Sequence, residues 1–260
     1  MVKIVVCGAC GKMGSKILEL ALRDNEFQIA GALESQNHPS AGKKLMDGKV
    51  LVSSDIDSLK DTADVVIDFT IPRAAMAHLE SISSWKKTGA VVGTTGFADQ
   101  ELQKIKELSK KVPIVLSPNM SRAVNVMFEF ARNIARKLKG YDIEIIESHH
   151  NQKTDSPSGT ALALAREIAD ELKRNEKTDF VYGRKGNAGP RTAKEIGIHS
   201  VRAGDIVGEH TVIFATEGER LELTHRAASR DAFATGALHA AKWLPGKPTG
   251  LYSMKDVMQG

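Results

Sequence analysis

Apolar residues in the first half of the chain fall in short unbroken runs, at 4–7, 29–33, 65–69, 90–93 and 114–116, each flanked by Gly, Pro, Ser or Asp. Runs of this kind predict strands buried on both faces, the environment of a parallel sheet. Between them, helical patterns occupy 13–23, 73–87 and 99–110. Pro72 stands just ahead of the second, where a missing N–H costs nothing in a first turn. Strand and helix alternating through short links predict an α/β domain with a Rossmann-type, doubly wound parallel sheet.

The second half reads differently. A helix is expected over 124–139, a strand over 143–147 and a helix over 160–173. After a polar, glycine-rich stretch at 183–192 come three strand-like segments, 196–202, 210–215 and 220–225. The links 203–208 and 216–219 carry the Gly and Asp that hairpin connections favour. This predicts a second, α+β domain with an open mixed or antiparallel sheet. A last helix, 231–243, is expected to pack back on the first domain. The predicted division is 1–121 with 234–260 for one domain and 122–233 for the other. With so few helices to cover an open sheet, subunit association is expected.

Composition narrows the class. The 260 residues are 42% hydrophobic but only 5% aromatic, so the core must be built from Val, Ile, Leu, Ala and Met. A net charge of +4 comes from 36 basic and 32 acidic residues interspersed along the chain, without the long one-sign run of a nucleic-acid arm. No apolar stretch approaches the roughly 20 residues that span a bilayer. Residues 3–14 run from a strand straight into a glycine turn, leaving no room for a secretory signal, and two cysteines make no disulfide framework. The expectation is a cytoplasmic protein without nucleic-acid or membrane partners.

Candidate chemistry appears first in Gly8-Ala-Cys-Gly-Lys-Met-Gly14, between the first strand and first helix. Glycines let a backbone approach a pyrophosphate, whose charge then sits on the helix N-terminus. Glu34 closes the second strand, 20 positions after Gly14, where an acid grips a ribose 2′-hydroxyl. An ordinary glycine turn would use the same residues; the placement and the acid favour a dinucleotide. Ser35 follows Glu34 where a site for a 2′-phosphate usually has Arg nearby, and Glu34 would repel that phosphate. The cofactor expectation therefore leans toward NADH, with NADPH also usable if Lys12 reaches the phosphate. Cys7 and Cys10 form a Cys-x-x-Cys here, open to a redox pair or half a zinc site, but no second cysteine pair exists to complete four-thiolate ligation. No metal is expected.

The densest chemistry lies in Glu147-Ser-His-His-Asn-Gln-Lys-Thr-Asp-Ser-Pro-Ser-Gly-Thr160. The segment leaves a strand and turns into a helix whose start, Ser158-Gly159-Thr160, offers N–H groups and hydroxyls to an anion. Lys153 adds a point charge. Adjacent strand residues face opposite ways, so His149 and His150 would not chelate one metal; divided roles fit better, one as proton donor and one in binding. A polar surface loop with Ser158 as a simple helix cap is the plainer alternative.

That segment resembles the motif of 4-hydroxy-tetrahydrodipicolinate reductases (dihydrodipicolinate reductases). So do the glycine turn, Gly93-Thr-Thr-Gly-Phe97, Ser117-Pro-Asn-Met-Ser121, Ser200-Val-Arg-Ala-Gly-Asp-Ile-Val-Gly-Glu-His210 and Gly250-Leu-Tyr-Ser-Met-Lys-Asp256, in order and over nearly the whole chain. The resemblance implies His149 as proton donor, with Lys153 assisting protonation or stabilising charge. It implies substrate binding by His150, Gly159 and Thr160. Cofactor contacts are implied for Gly8, Ala9, Cys10, Gly11, Lys12, Met13, Glu34, Gly93, Thr94, Thr95, Ser117, Pro118, Asn119 and Met120, and for Arg230 near the hinge region. Two departures stand out: Met120 where phenylalanine is common, and Ser35 where arginine often lies in NADPH-using members. A homotetramer, a cyclic dicarboxylate substrate and the diaminopimelate route to lysine are likewise implied. The first domain would bind the dinucleotide and the second the substrate, with closure between them excluding water. Two other readings compete: another two-domain reductase, such as an amino-acid dehydrogenase, and a cofactor-sensing binding protein without turnover.

Overall fold

The first apolar run is β1 (Val2–Cys7). Its alternate residues serve opposite faces: Ile4 and Val6 join one core cluster, Val5 and Cys7 another. A strand that feeds two cores has no polar face, which is why the run is unbroken. The computed structural model describes residues 1–85 and 87–259, in two compact units: 1–122 with 230–260, and 123–229.

In unit 1, β1 leads through α1 (Lys12–Leu22) to β2 (Phe27–Leu33), then β3 (Lys44–Leu45), β4 (Val50–Ser53) and β5 (Val65–Asp68). After these come α2 (Pro72–Ile82), β6 (Gly89–Val92), α3 (Asp99–Leu108) and β7 (Pro113–Leu116). In unit 2, α4 (Arg122–Lys137) begins at the boundary, followed by β8 (Asp142–His149), α5 (Gly159–Leu172), α6 (Glu176–Asp179) and β9 (Phe180–Tyr182). Its last strands are β10 (Ile196–Arg202), β11 (Gly208–Thr216) and β12 (Glu219–Ala227). The chain then returns to unit 1 with α7 (Asp231–Trp243), β13 (Gly250–Tyr252) and α8 (Met254–Gln259).

The unit 1 sheet runs β13-β7-β6-β5-β1-β2-β4-β3 and is parallel except where β3 meets β4. Ile17 and Leu18 of α1 and Ala237 and Ala241 of α7 fill one face. Leu79 and Ile82 of α2 and Ile105 and Leu108 of α3 fill the other. This is the doubly wound architecture expected from the alternating pattern, and the helix expected over 231–243, α7, packs on this unit. The helix expected over 73–87 stops earlier, at Ile82. There the hydroxyls of Ser83 and Ser84 donate to the carbonyls of Glu80 and Ser81, competing with continued helix, and Lys87 turns to φ +64°. Lys86, inside that expected span, lies outside the described residues.

The unit 2 sheet is mixed, β12-β11-β8-β10-β9. The 216–219 hairpin expectation holds, since β11 and β12 pair antiparallel from Thr216↔Glu219 outward. The 203–208 link is no hairpin. β10 lies parallel to β8, and β8 separates it from β11. The link instead crosses the end of β8, held by Ala203 N–H to His149 O (2.9 Å) and Asn151 N–H to Gly204 O (3.1 Å). Ile143, Ile145, Val212 and Phe214 on one sheet face pack with Leu164 and Ile168 of α5. Among the described residues, no helix is long and apolar enough to cross a membrane.

Candidate functional site

In unit 1, β1 sits between β2 and β5, so the chain leaves it in opposite directions along the sheet. Such switch points open a crevice at the carboxyl ends of the strands. Gly8 stands there at φ +74°, and a Cβ on it would lie 2.6 Å from the Phe69 carbonyl oxygen. A Cβ on Gly14 would lie 2.1 Å from the Gly8 carbonyl oxygen. Neither position tolerates a side chain without moving backbone. Gly11 precedes α1 and contributes no side-chain cap, so the helix start presents N–H groups rather than a hydroxyl. A cleft of about 640 Å³ borders Gly8, Gly11, Glu34, Ser35, Phe69 and His78. A backbone cradle, a helix start and an acid at the end of β2 fit a dinucleotide.

Glu34 is itself bonded to the turn. Its Oε1 accepts the Cys10 N–H at 2.8 Å and so braces the glycine turn. Ala9 is buried in the core beneath that turn, Met13 packs against the same core, and Lys12 is exposed. Gly93 follows β6, and its N–H bonds the Asp68 carbonyl at 2.9 Å; Thr95 is exposed. Thr94 is buried, its hydroxyl donating to Asp68 Oδ1 at 3.0 Å and accepting the Thr70 N–H at 3.0 Å. Asp68 also bonds His78 Nδ1 at 2.6 Å. This Asp68–His78–Thr94 network was not anticipated. In the next loop Ser117 Oγ donates to the Asn119 carbonyl at 2.8 Å, Pro118 is exposed, and the Met120 side chain belongs to the core. Arg230 accepts at the start of α7 through its carbonyl and is not among the cleft's lining residues.

The two cysteines do not converge. Among the described residues, Cys7 lies with Asp68 and His78, and Cys10 with Glu34 and His38, as separate groups of potential ligands. Burial pushes the Cys7 thiol well above its ordinary pKa, with the charges of Asp68 and Glu34 adding to it. A thiol held protonated is a poor redox partner.

In unit 2, the core face of the sheet changes character along its length. One cross-strand row is Ile198, Ile145, Val212 and Leu223; the next is Ser200, Glu147, His210 and His225. The apolar layer therefore ends in a polar row, next to which α5 begins. Glu147 is fully buried. Its Oε2 meets His149 Nδ1 at 2.6 Å and Arg202 Nη1 at 2.8 Å, while Oε1 accepts Arg202 Nη2 at 2.8 Å and the Ser158 N–H at 3.1 Å. Burial alone would raise its pKa; hydrogen bonds from His149, Arg202 and Ser200 overturn that and hold it well below the usual carboxylate range. Glu147 is ionised at neutral pH.

Ser158 Oγ caps α5 by accepting the Ala161 N–H at 3.2 Å, and lies 3.1 Å from His210 Nε2. His210 is buried, and burial, with the nearby charge of His149, pushes its pKa down to about 3. It stays neutral. Its ring stands edge-on to that of His149, centroids 5.3 Å apart. Gly159 and buried Thr160 form the first turn of α5. Lys153 Nζ pairs with exposed Asp155 at 2.8 Å. His150 lies just past β8, its carbonyl accepting the Lys153 N–H at 3.1 Å. Within unit 2, then, His149 and Ser158 both bond Glu147, and Gly159 and Thr160 continue the turn that Ser158 begins. Sequence reasoning assigned no role to Glu147, Arg202 or His210. The usable signal was period two: Glu147 shares a strand face with His149.

The protein-family models described as "Dihydrodipicolinate reductase, N-terminus" and "Dihydrodipicolinate reductase, C-terminus" match residues 2–120 and 123–258. A 4-hydroxy-tetrahydrodipicolinate reductase of Aquifex aeolicus is 48% identical, covering 99% of this chain and 98% of its own. One from Syntrophus aciditrophicus is 47% identical at the same coverage. Among solved structures, a dipicolinate-bound dihydrodipicolinate reductase from Paenisporosarcina sp. TG-14 superposes with a TM-score of 0.78 at 26% identity, over 97% of each chain.

Proposed function

The chain belongs to the dihydrodipicolinate reductase family, and from that premise we propose that it reduces 4-hydroxy-tetrahydrodipicolinate to tetrahydrodipicolinate on the diaminopimelate route to lysine. The observation that carries this is the anchored His149 beside the start of α5: an imidazole held by a buried, ionised carboxylate next to a helix N-terminus suited to a carboxylate ligand. The dipicolinate held by the solved relative is itself a cyclic dicarboxylate.

When bound, the nicotinamide supplies a hydride to a ring carbon conjugated with the substrate's imine. His149 delivers the proton that balances that hydride, and water leaves from the 4-hydroxy form. Gly8, Gly11 and Gly14 admit the pyrophosphate to the start of α1, and Glu34 takes the adenosine ribose. Gly93, Thr94, Thr95, Ser117, Asn119 and Arg230 are further cofactor contacts by family likeness. Gly159, Thr160 and His150 hold the substrate carboxylates, and Lys153 balances developing negative charge. Thr160→Val is expected to raise KM with little change in kcat, and Lys153→Ala to impair both. Steady-state kinetics separate the two, and an unchanged KM in the first variant removes Thr160 from the site.

Cofactor choice follows from charge. Among the described residues lining the cleft there are Glu34 and Asp55 but no Lys or Arg. A 2′-phosphate would meet net negative surroundings, so NADH is the preferred donor. The deciding experiment generates the substrate in place with a coupled enzyme and follows NADH and NADPH absorbance separately. Faster turnover with NADH is expected. A large NADPH preference overturns the charge argument, and no turnover with either overturns the function.

The chain is further proposed to act as a cytoplasmic homotetramer. The sheet face of unit 2 away from its core carries Ile146, Val201, Thr211 and Ile213, none of them fully buried. Light scattering should give four times the 28.2 kDa chain mass; a monomer at assay concentration removes the proposal.

A further inference from the structure

We propose that Glu147 is the positioning residue of the unit 2 site, one carboxylate that fixes the ring of His149 with one oxygen and the start of α5 with the other. The inference rests on the reading of His149 as proton donor and adds what makes it one. An ionised carboxylate offers only lone pairs. His149 Nδ1, 2.6 Å from Oε2, must therefore carry a hydrogen. That leaves Nε2 as the working nitrogen. It faces Gly208, where an added Cβ would lie only 3.1 Å away, so a side chain at 208 would press on that nitrogen.

The proton balance then closes without rearrangement. The protonated ring holds Nδ1–H on Glu147 and Nε2–H outward. Giving up the Nε2 proton leaves the neutral ring with the same Nδ1–H bond. A ring with its neutral proton on Nε2 would have to turn over before each cycle.

The surroundings are consistent with that task from every side. From β10, Arg202 binds both carboxylate oxygens and keeps Glu147 ionised. From β11, His210 faces the ring edge-on but is neutral, so it does not oppose the imidazolium; His225 of β12 lies opposite His210 and burial lowers its pKa as well. The loop before α5 brings Lys153 and Asp155, which pair with each other. Oε1, meanwhile, holds the Ser158 N–H. The donor and the substrate-binding helix start thus share one anchor.

The test compares wild type, Glu147→Gln, His149→Gln and the double variant. Glutamine keeps an oxygen for the Ser158 N–H but can present an N–H to His149 Nδ1, which moves the neutral ring's proton to Nε2. Glu147→Gln should lower kcat about 10²-fold, with KM within about threefold of wild type. In the His149→Gln background the same change should cost less than about threefold, because the two act as a unit. A purely structural role would move KM and melting temperature and add fully to His149→Gln. Full additivity, or an unchanged kcat in Glu147→Gln, overturns the inference. Long-range proton–nitrogen spectra supply a readout independent of turnover: neutral His149 should carry its proton on Nδ1 in the wild type, and a proton on Nε2 there overturns the inference too. If His149→Gln itself turns over normally, it is the proton-donor reading that fails.

Discussion

His149→Gln should reduce kcat by about 10²–10⁴-fold, the usual contribution of a general acid. Glutamine retains a polar, hydrogen-bonding end of similar reach, so Glu147 keeps a partner and the polar row at the end of the sheet stays filled. What is lost is a ring nitrogen that can give up and regain a proton. Cofactor affinity should be unchanged, because the glycine cradle and Glu34 belong to unit 1 and His149 to unit 2. Titration of NADH fluorescence alongside steady-state turnover makes the separation. Undiminished kcat would remove His149 from the chemistry, and the whole assignment of unit 2 would need another donor.

Gly14→Ala should abolish useful cofactor binding while leaving unit 2 folded. The added carbon would sit 2.1 Å from the Gly8 carbonyl oxygen, 2.7 Å from its carbon and 2.8 Å from the Ala9 Cα, all of them backbone. No rotamer change relieves such a clash; the turn or α1 must move. Overpacking of this kind costs about 1–3 kcal/mol. The displaced turn also carries the Cys10 N–H off Glu34, so brace and cradle are lost together. A fall in NADH affinity of at least about tenfold, which corresponds to 1.4 kcal/mol, should accompany a lower melting temperature. Wild-type affinity from a folded variant would show that the pyrophosphate lies elsewhere.

How much of this was visible beforehand varies with the range of the interactions. Strands β1, β2, β5, β6 and β7 were legible because burial on both faces writes itself into consecutive residues, as at Ile4–Val5–Val6–Cys7. The strands β3, β9 and β13 span only two or three residues, too few to show a period. The link after β10 was misread because its composition suits a hairpin, whereas β8 decides the pairing from outside the segment. In the candidate site, the local string from Glu147 to Thr160 was legible as the stretch that carries the chemistry. Its anchoring partners were out of sight for the same reason: Arg202 reaches Glu147 across 55 positions, and His210 reaches Ser158 across 52. Neither distance leaves a trace in spacing. Only the shared strand face of Glu147 and His149 was local, and it took the fold to give it meaning.

The return of α7 and β13 to unit 1 bears on how the molecule is made. Ala234, Ala237, Leu238 and Ala241 fill the layer beneath β1 and β5, and β13 lies along β7. A nascent polypeptide that has released only its first 122 residues therefore holds a parallel sheet with one apolar side roofed by α1 alone and an unpaired border at β7. The intervening stretch, continuous in sequence, has everything its own interior needs before translation ends. Unit 1 can therefore be completed only once residues 230–252 are present, whereas the core of unit 2 draws on no segment outside 123–229.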